Sequence, residues 1–195
     1  QLDKIGFSYD WNREVQTSWY LNLAIVVECL NGYRVKERMP ENIGEFRVPL
    51  GKIEVTKEGN DITLVTYGST WRVVMDAANK LERLGISCEV VDTQTLVPFD
   101  LKNEIADSLK KTNRLLVIDE DVPGGASSYI LQKIIEDQNG YYHLDSNPQT
   151  LTAKEHRPPY GKDGDYFTKP SSEDVVEKVY QIMNEVDPKK FPAIF

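Results

Sequence analysis

The amino-acid sequence predicts an α/β fold built on a parallel sheet, and three observations carry that prediction. Ile62 to Tyr67 is a short run of apolar and β-branched residues without polar alternation, the pattern of a strand buried on both faces. From Trp71 the period lengthens: Val74, Ala77, Ala78 and Leu81 stand at i, i+3, i+4 and i+7 and line one face of a helix, which Gly85 ends as a left-handed cap. A second apolar run, Cys88 to Val91, follows and stops at Asp92. Strand, helix and strand within about 30 residues form a βαβ unit, whose crossover makes its two strands parallel.

The other elements read in order around that unit. Residues 1 to 20 are rich in aromatic and charged side chains and show neither a helical nor a strand period. Leu23 to Cys29 is apolar and reads as a strand, turned out at Asn31 and Gly32. Tyr33 to Phe46, with Pro40 and Gly44, has the composition of a linker. Val48 to Thr56 reads as a short strand that turns at Glu58, Gly59 and Asn60. After Asp92, Pro98 prevents a central strand, and Asp100 is placed to cap a helix in which Leu101, Ile105 and Leu109 share a face. Leu115 to Ile118 is the next buried strand. Pro123, Gly124 and Gly125 turn the chain into a helix carrying Ile130, Leu131, Ile134 and Ile135, closed by Asn139 and Gly140. A weaker strand falls within Leu144 to Thr152, interrupted at Pro148. Lys154 to Pro170 is a loop too long for a mere connection, which marks a function or an interface. Ser171 or Ser172 caps a last helix with Val175, Val179, Met183 and Val186 inward, and the tail from Asp187 to Phe195 must dock to be ordered.

Composition narrows the function. At 195 residues and 40% hydrophobic content the chain fills one main core. Its formal charge of -8 argues against non-specific binding to nucleic acid or to an anionic membrane, both of which need a basic surface. Cys29 and Cys88 each sit inside an apolar run, as buried free thiols of a reducing cytoplasm do. No apolar stretch approaches the ~20 residues that span a bilayer, and no signal-peptide pattern opens the sequence.

Few residues point to chemistry. Asp119, Glu120 and Asp121 follow a strand, where open α/β sheets place their sites, yet taken alone they read as a solvated acidic loop. The Gly124 and Gly125 turn before a helix N-terminus offers an anion cradle, although neither the G-x-G-x-x-G nor the G-x-x-x-x-G-K-[ST] fingerprint is present and the turn itself explains the glycines. His143 and His156 lack neighbours at metal-ligand spacing. There is no G-x-S-x-G elbow.

Three segments carry a family likeness: DITLVTYGS at Asp61 to Ser69, EVVDTQTLVPFD at Glu89 to Asp100, and LLVIDEDVPGGASSYI at Leu115 to Ile130. From about Leu23 to Phe195 the chain resembles the transketolase family C-terminal domain, in the form found in the beta chain of thiamine-diphosphate-dependent 2-oxoacid dehydrogenases of the 2-oxoisovalerate or pyruvate type. Gln94 stands where that family's D-x-R-T-L-x-P segment has arginine. Residues 1 to 18, QLDKIGFSYDWNREVQTS, resemble a short piece of leucyl-tRNA synthetase without that enzyme's nucleotide-binding signatures. Residues 1-22 are therefore either a foreign segment or an arm packed on the rest. The resemblance implies that residues 23-47 are the tail of a preceding pyrimidine-binding domain and linker, and that residues 48-195 form a three-layer αβα sandwich on a mostly parallel, about five-stranded sheet with one edge strand reversed. It also implies that thiamine diphosphate and magnesium belong to the parent enzyme, with no cofactor, metal or catalytic residue in this chain. Expected partners are the parent's remaining domains or alpha chain, a second copy of the chain, and the dihydrolipoyl acyltransferase. Asp119, Glu120, Asp121, Gly124, Gly125 and the carboxylate of Phe195 are the docking candidates. The rival expectation is a stand-alone anion- or nucleotide-binding module using the Gly124 and Gly125 turn.

Overall fold

The structure, a computed structural model, describes residues 47–161 and 163–193, together with Ile25, Val26, Glu28, Lys36, Arg38, Glu41 and Glu45. The aromatic arm at residues 1–22, most of the Leu23 to Cys29 run, and Phe195 lie outside the described residues; Ile25, Val26 and Glu28 carry no strand.

The elements are β1 (Glu54–Lys57), β2 (Ile62–Thr66), α1 (Thr70–Arg83), β3 (Cys88–Asp92), α2 (Glu104–Thr112), β4 (Leu115–Ile118), α3 (Ala126–Gln132), β5 (Gln149–Leu151), α4 (Gly164–Thr168) and α5 (Ser172–Val186). α3 runs on as a π-helical turn, Lys133–Asp137, and a 3-10 turn spans Gly140–His143. The strands form one sheet in the order β1-β3-β2-β4-β5, parallel except where β1 pairs antiparallel with β3.

Strand alternation builds the layers. Ile62 and Leu64 of β2, Cys88 and Val90 of β3, and Leu116 and Ile118 of β4 pack under α1 and α5. Their neighbours Val65, Val91, Leu115 and Val117 point the other way and pack under α2 and α3. Two helical layers thus enclose a sheet whose central strand is buried at every residue. On α1 the expected stripe Val74, Ala77, Ala78 and Leu81 is fully buried, and Gly85 closes the helix with a φ of 79°.

Four expectations need correcting. The strand expected over Val48 to Thr56 begins only at Glu54, because Gly51 turns the chain at a φ of 73° and is held there by a 2.7 Å bond from its N–H to Thr95 Oγ1. Leu101 lies outside α2 and is 55% exposed, since positive φ angles at Asp100 and Asn103 delay the helix to Glu104. Asp100 does serve the helix, its carboxylate accepting the N–H groups of Glu104 and Ile105 at 3.0 and 2.9 Å. On α5, Ile182 rather than Val186 completes the inward stripe with Val175, Val179 and Met183, because Val186 is the last helical residue and half-exposed. The fourth correction concerns the acidic cluster and is taken up below.

Ser171, not Ser172, caps α5 in a reciprocal box with Asp174. The tail docks through Phe191, which is buried against Tyr180 and whose carbonyl accepts from Asn184 Nδ2 at 2.6 Å. Gly59 is required by close approach: a Cβ there would stand 2.1 Å from the Cys88 carbonyl carbon.

The sequence reading missed a buried polar network between β3, β2 and α2. Glu89 is 2% exposed, accepts from the Ser108 hydroxyl and the Lys111 ammonium, and takes the Gly59 N–H at 3.3 Å. Thr63 extends it, its hydroxyl bonded to Ser108 and Thr112 at 2.6 and 2.7 Å.

Candidate functional site

After β2 the chain crosses through α1 to β3; after β4 it crosses through α3 to β5 on the other side. The carboxyl ends of these adjacent strands therefore diverge, and a crevice opens between them. Tyr67, Gly68 and Ser69 enter it from β2, and Asp119, Glu120 and Asp121 from β4. Each of the first two acids meets a partner from the opposite strand. Tyr67 donates its hydroxyl to Asp119 Oδ1 at 2.7 Å, and Ser69 donates to Glu120 Oε2 at 2.9 Å. Lys169, at the end of α4, reaches the same Glu120 oxygen at 3.1 Å.

Asp119 is not part of a solvated loop. It has no exposed surface, and its carboxylate also accepts the N–H groups of Asp121 at 3.1 Å and Ser127 at 2.8 Å. The physical reason is capping: the carboxylate fills the N-terminal turn of α3, whose unpaired N–H groups attract negative charge. Burial, reinforced by the bond to Asp119 and the charges of the acidic run, raises the Tyr67 phenol well above the usual tyrosine value.

The same geometry corrects the anion-cradle expectation. A cradle at Gly124 and Gly125 needs the α3 N-terminus, and the protein's own Asp119 occupies it. The glycines have conformational reasons: Gly124 adopts a φ of 89°, and a Cβ on Gly125 would stand 2.5 Å from Asp121 Oδ2. Asp121 is exposed and Glu120 half-buried, so of the three acids these two present surface to a partner and Asp119 presents none.

Other sequence candidates lie apart. His156 is exposed and tilts over Phe167 with ring centroids 5.6 Å apart, while His143 sits in the 3-10 turn. Among the described residues no group of three or more His, Cys, Asp or Glu is placed to hold a metal ion. Cys88 is buried and free, and burial pushes its thiol up to about 12. Gln94 adopts a φ of 56° and bonds Glu54 from Nε2 at 3.1 Å. Sequence reasoning missed Tyr67, Ser69 and Lys169 as the acids' partners. The first two stand in the DITLVTYGS segment at the strand end, where a polar pair after an apolar run was the available signal.

Beside the crevice, on the α1 and α5 face, lies an open cleft of about 470 Å³, walled by the start of α1, Glu120, α4 and the start of α5.

With a mostly parallel five-stranded sheet and this helix arrangement in place, comparison with known proteins assigns the family. Residues 51–175 match the family described as Transketolase, C-terminal domain. The chain belongs to the transketolase C-terminal domain family. Curated relatives of this family member include the pyruvate dehydrogenase E1 component subunit beta of Mesostigma viride, 32% identical over 151 residues that cover 77% of this chain and 45% of the relative. The acetoin:2,6-dichlorophenolindophenol oxidoreductase subunit beta of Bacillus subtilis (strain 168) is 31% identical, covering 81% and 45%. The mitochondrial 2-oxoisovalerate dehydrogenase subunit beta of Dictyostelium discoideum is 36% identical, covering 56% and 29%. The chain thus spans less than half the length of these relatives. A solved split-gene transketolase, described as an inactive beta4 tetramer, shares the fold with a TM-score of 0.57 at 24% identity, covering 72% of this chain and 44% of that one. No helix among the described residues is long and apolar enough to cross a membrane.

Proposed function

We propose that this transketolase C-terminal domain is the assembly domain of the decarboxylating component of a 2-oxoacid dehydrogenase, of the pyruvate or 2-oxoisovalerate type, and is not catalytic alone. The observation that carries the reading is the similarity to a pyruvate dehydrogenase E1 beta subunit over 77% of the chain. The described residues do not fit a diphosphate with its divalent ion, because Asp119 already fills the α3 N-terminus and no acidic or histidine group is arranged as ligands. In the parent enzyme, thiamine diphosphate and magnesium would be held elsewhere, and a 2-oxoacid would be decarboxylated with transfer of its acyl group to a lipoyl carrier. Residues 23-47 would be the tail of the neighbouring pyrimidine-binding domain. The compartment is a reducing one, where Cys88 remains a thiol.

Assayed with thiamine diphosphate, magnesium and a 2-oxoacid, the chain alone is expected to be inactive and to turn over only when the parent's remaining domains or alpha chain are supplied. Turnover by the chain alone refutes the reading. Within it, Glu120 and Asp121, with Phe195, meet a basic face of the dihydrolipoyl acyltransferase, with Gly124 and Gly125 shaping the turn beside them, and the domain contributes contacts to a second copy. Charge complementarity of this kind acts mainly on encounter rate. Neutralising Glu120 and Asp121 together with removal of Phe195 should slow association with the acyltransferase at low salt; unchanged association removes the docking claim.

A further inference from the structure

The long loop from Lys154 to Pro170 folds back on itself and is tied to the acidic run at both ends. Lys154 donates its backbone N–H to the Thr168 carbonyl at 3.0 Å, and its ammonium stands 3.9 Å over the Phe167 ring, against which the His156 ring also tilts. Where the loop begins, the Ala153 N–H bonds the Asp121 carbonyl at 2.9 Å. Where it ends, the Lys169 ammonium reaches Glu120 Oε2 at 3.1 Å. The loop is therefore a strap, and its last lysine sets one of the chain's own cations on an acid that faces outward.

Two features make this closure one that a competitor can undo. The Lys169 and Glu120 side chains are 34% and 38% exposed, so the pair is screened by water and a second cation can reach the carboxylate. The closed strap also leaves the Thr168 hydroxyl buried, at 5% exposed, with no hydrogen-bond partner, an unfavourable arrangement that opening to water relieves. Glu120 Oε2 already takes the Ser69 hydroxyl at 2.9 Å beside Lys169. A basic surface arriving at this oxygen meets a neutral donor that it can share and a like charge that it must displace.

We propose that the Lys169–Glu120 pair is an autoinhibitory contact: Lys169 masks Glu120 in the free chain, and docking of a basic protein surface displaces it and opens the strap. The inference rests on the docking reading above for its partner, the dihydrolipoyl acyltransferase, while the state of the strap is read without any partner. Because the coupling is reciprocal, removing Lys169 favours docking and neutralising Glu120 loosens the strap. Stopped-flow association of the full chain with the acyltransferase at low salt reads the first effect, and amide hydrogen exchange of the free chain reads the second.

Lys169→Met is expected to associate about two- to fivefold faster than wild type, and Lys169→Arg to match wild type. Arg157→Met, which removes the same charge elsewhere on the strap, is expected to gain less. In a Glu120→Gln background the advantage of Lys169→Met over Arg157→Met should vanish. In the free chain, Lys169→Met and Glu120→Gln should each speed exchange of the Lys154 amide, whose acceptor is Thr168, by about two- to fivefold, with the Leu64 amide at the sheet centre unchanged. Association of the wild-type chain with no greater gain from Lys169→Met than from Arg157→Met overturns the masking and leaves the docking reading standing. So does an advantage that persists undiminished in Glu120→Gln. Unchanged Lys154 exchange in both variants overturns the opening of the strap. No association by either the wild-type or the Lys169→Met chain removes the docking reading, and the masking with it.

Discussion

Replacing Asp119 by alanine removes the group on which the carboxyl edge of the sheet is assembled. Three donors converge on that carboxylate: the Tyr67 hydroxyl at 2.7 Å, the Ser127 N–H at 2.8 Å and the Asp121 N–H at 3.1 Å. Ser127 is 1% exposed, so its N–H would be left buried without an acceptor, while Tyr67 and Asp121 retain access to water. A hydrogen bond to a charged group contributes about 1.5–3 kcal/mol and a lost N-cap costs about 1 kcal/mol. Counting the buried bond in full and discounting the two that water can replace, the loss is about 4 kcal/mol. Asp119→Asn keeps one acceptor oxygen and should cost roughly 1–2 kcal/mol. Urea unfolding reads the difference directly. With a slope of about 2 kcal/mol per molar, alanine moves the midpoint down by about 2 M and asparagine by less than about 1 M. Tyr67→Phe combined with Asp119→Ala should show a coupling of at least about 0.5 kcal/mol, because the two side chains share one bond. An alanine midpoint within about 0.5 M of wild type, with the slope unchanged, refutes the account of Asp119 as the clamp of this edge.

Three other outcomes follow from the same geometry. Glu89→Ala leaves the Ser108 hydroxyl and the Gly59 N–H without their acceptor and should cost about 2–4 kcal/mol in urea unfolding. Lys111→Met should cost only about 1 kcal/mol, since Lys111 is 39% exposed and Glu89 keeps its other donors; the reverse order contradicts the network. Because the folded-state pKa of Tyr67 is raised, its neutral form is favoured by folding. The stability it contributes is complete below the unfolded tyrosine value of about 10 and declines as pH rises above it, and Tyr67→Phe should flatten that decline. Cys88, buried with its thiol pushed up to about 12, should react with a disulfide reagent only as fast as the chain opens, so labelling should accelerate in step with added urea.

The parts of the fold legible in the sequence were those whose pattern depends on one element meeting one layer. The α1 stripe could be read because Val74, Ala77, Ala78 and Leu81 need only the helical period and a sheet beneath them. β2, β3 and β4 could be read because strands buried on both faces have no polar alternation. Leu101 and Val186 escaped, since both fit the helical period, yet Leu101 precedes the first turn of α2 and Val186 is the last residue of α5. The acidic run was legible as a position and not as a role. Whether a carboxylate after a strand is solvated or buried depends on what arrives from elsewhere, here the Tyr67 hydroxyl 52 residues back and the Ser127 N–H from the next helix. Glu89 was hidden for the same reason: its partners come from α2 and from the turn before β2, and a single glutamate in an apolar strand carries no sign of them.

The two sides of the carboxyl edge therefore divide their labour by which helix N-terminus the chain itself satisfies. α3 receives Asp119, so its turn is closed and the acids that remain outward, Glu120 and Asp121, are available only as surface charge. α1 receives no side-chain cap, because the Ser69 hydroxyl has been drawn across to Glu120, and its Trp71 N–H turns back to the Gly68 carbonyl at 3.3 Å. One hydrogen bond between Ser69 and Glu120 thus ties the closed side to the open one. Ser69→Ala should release Glu120 to Lys169 alone and leave α1 equally uncapped, so its cost to stability should stay within about 1 kcal/mol.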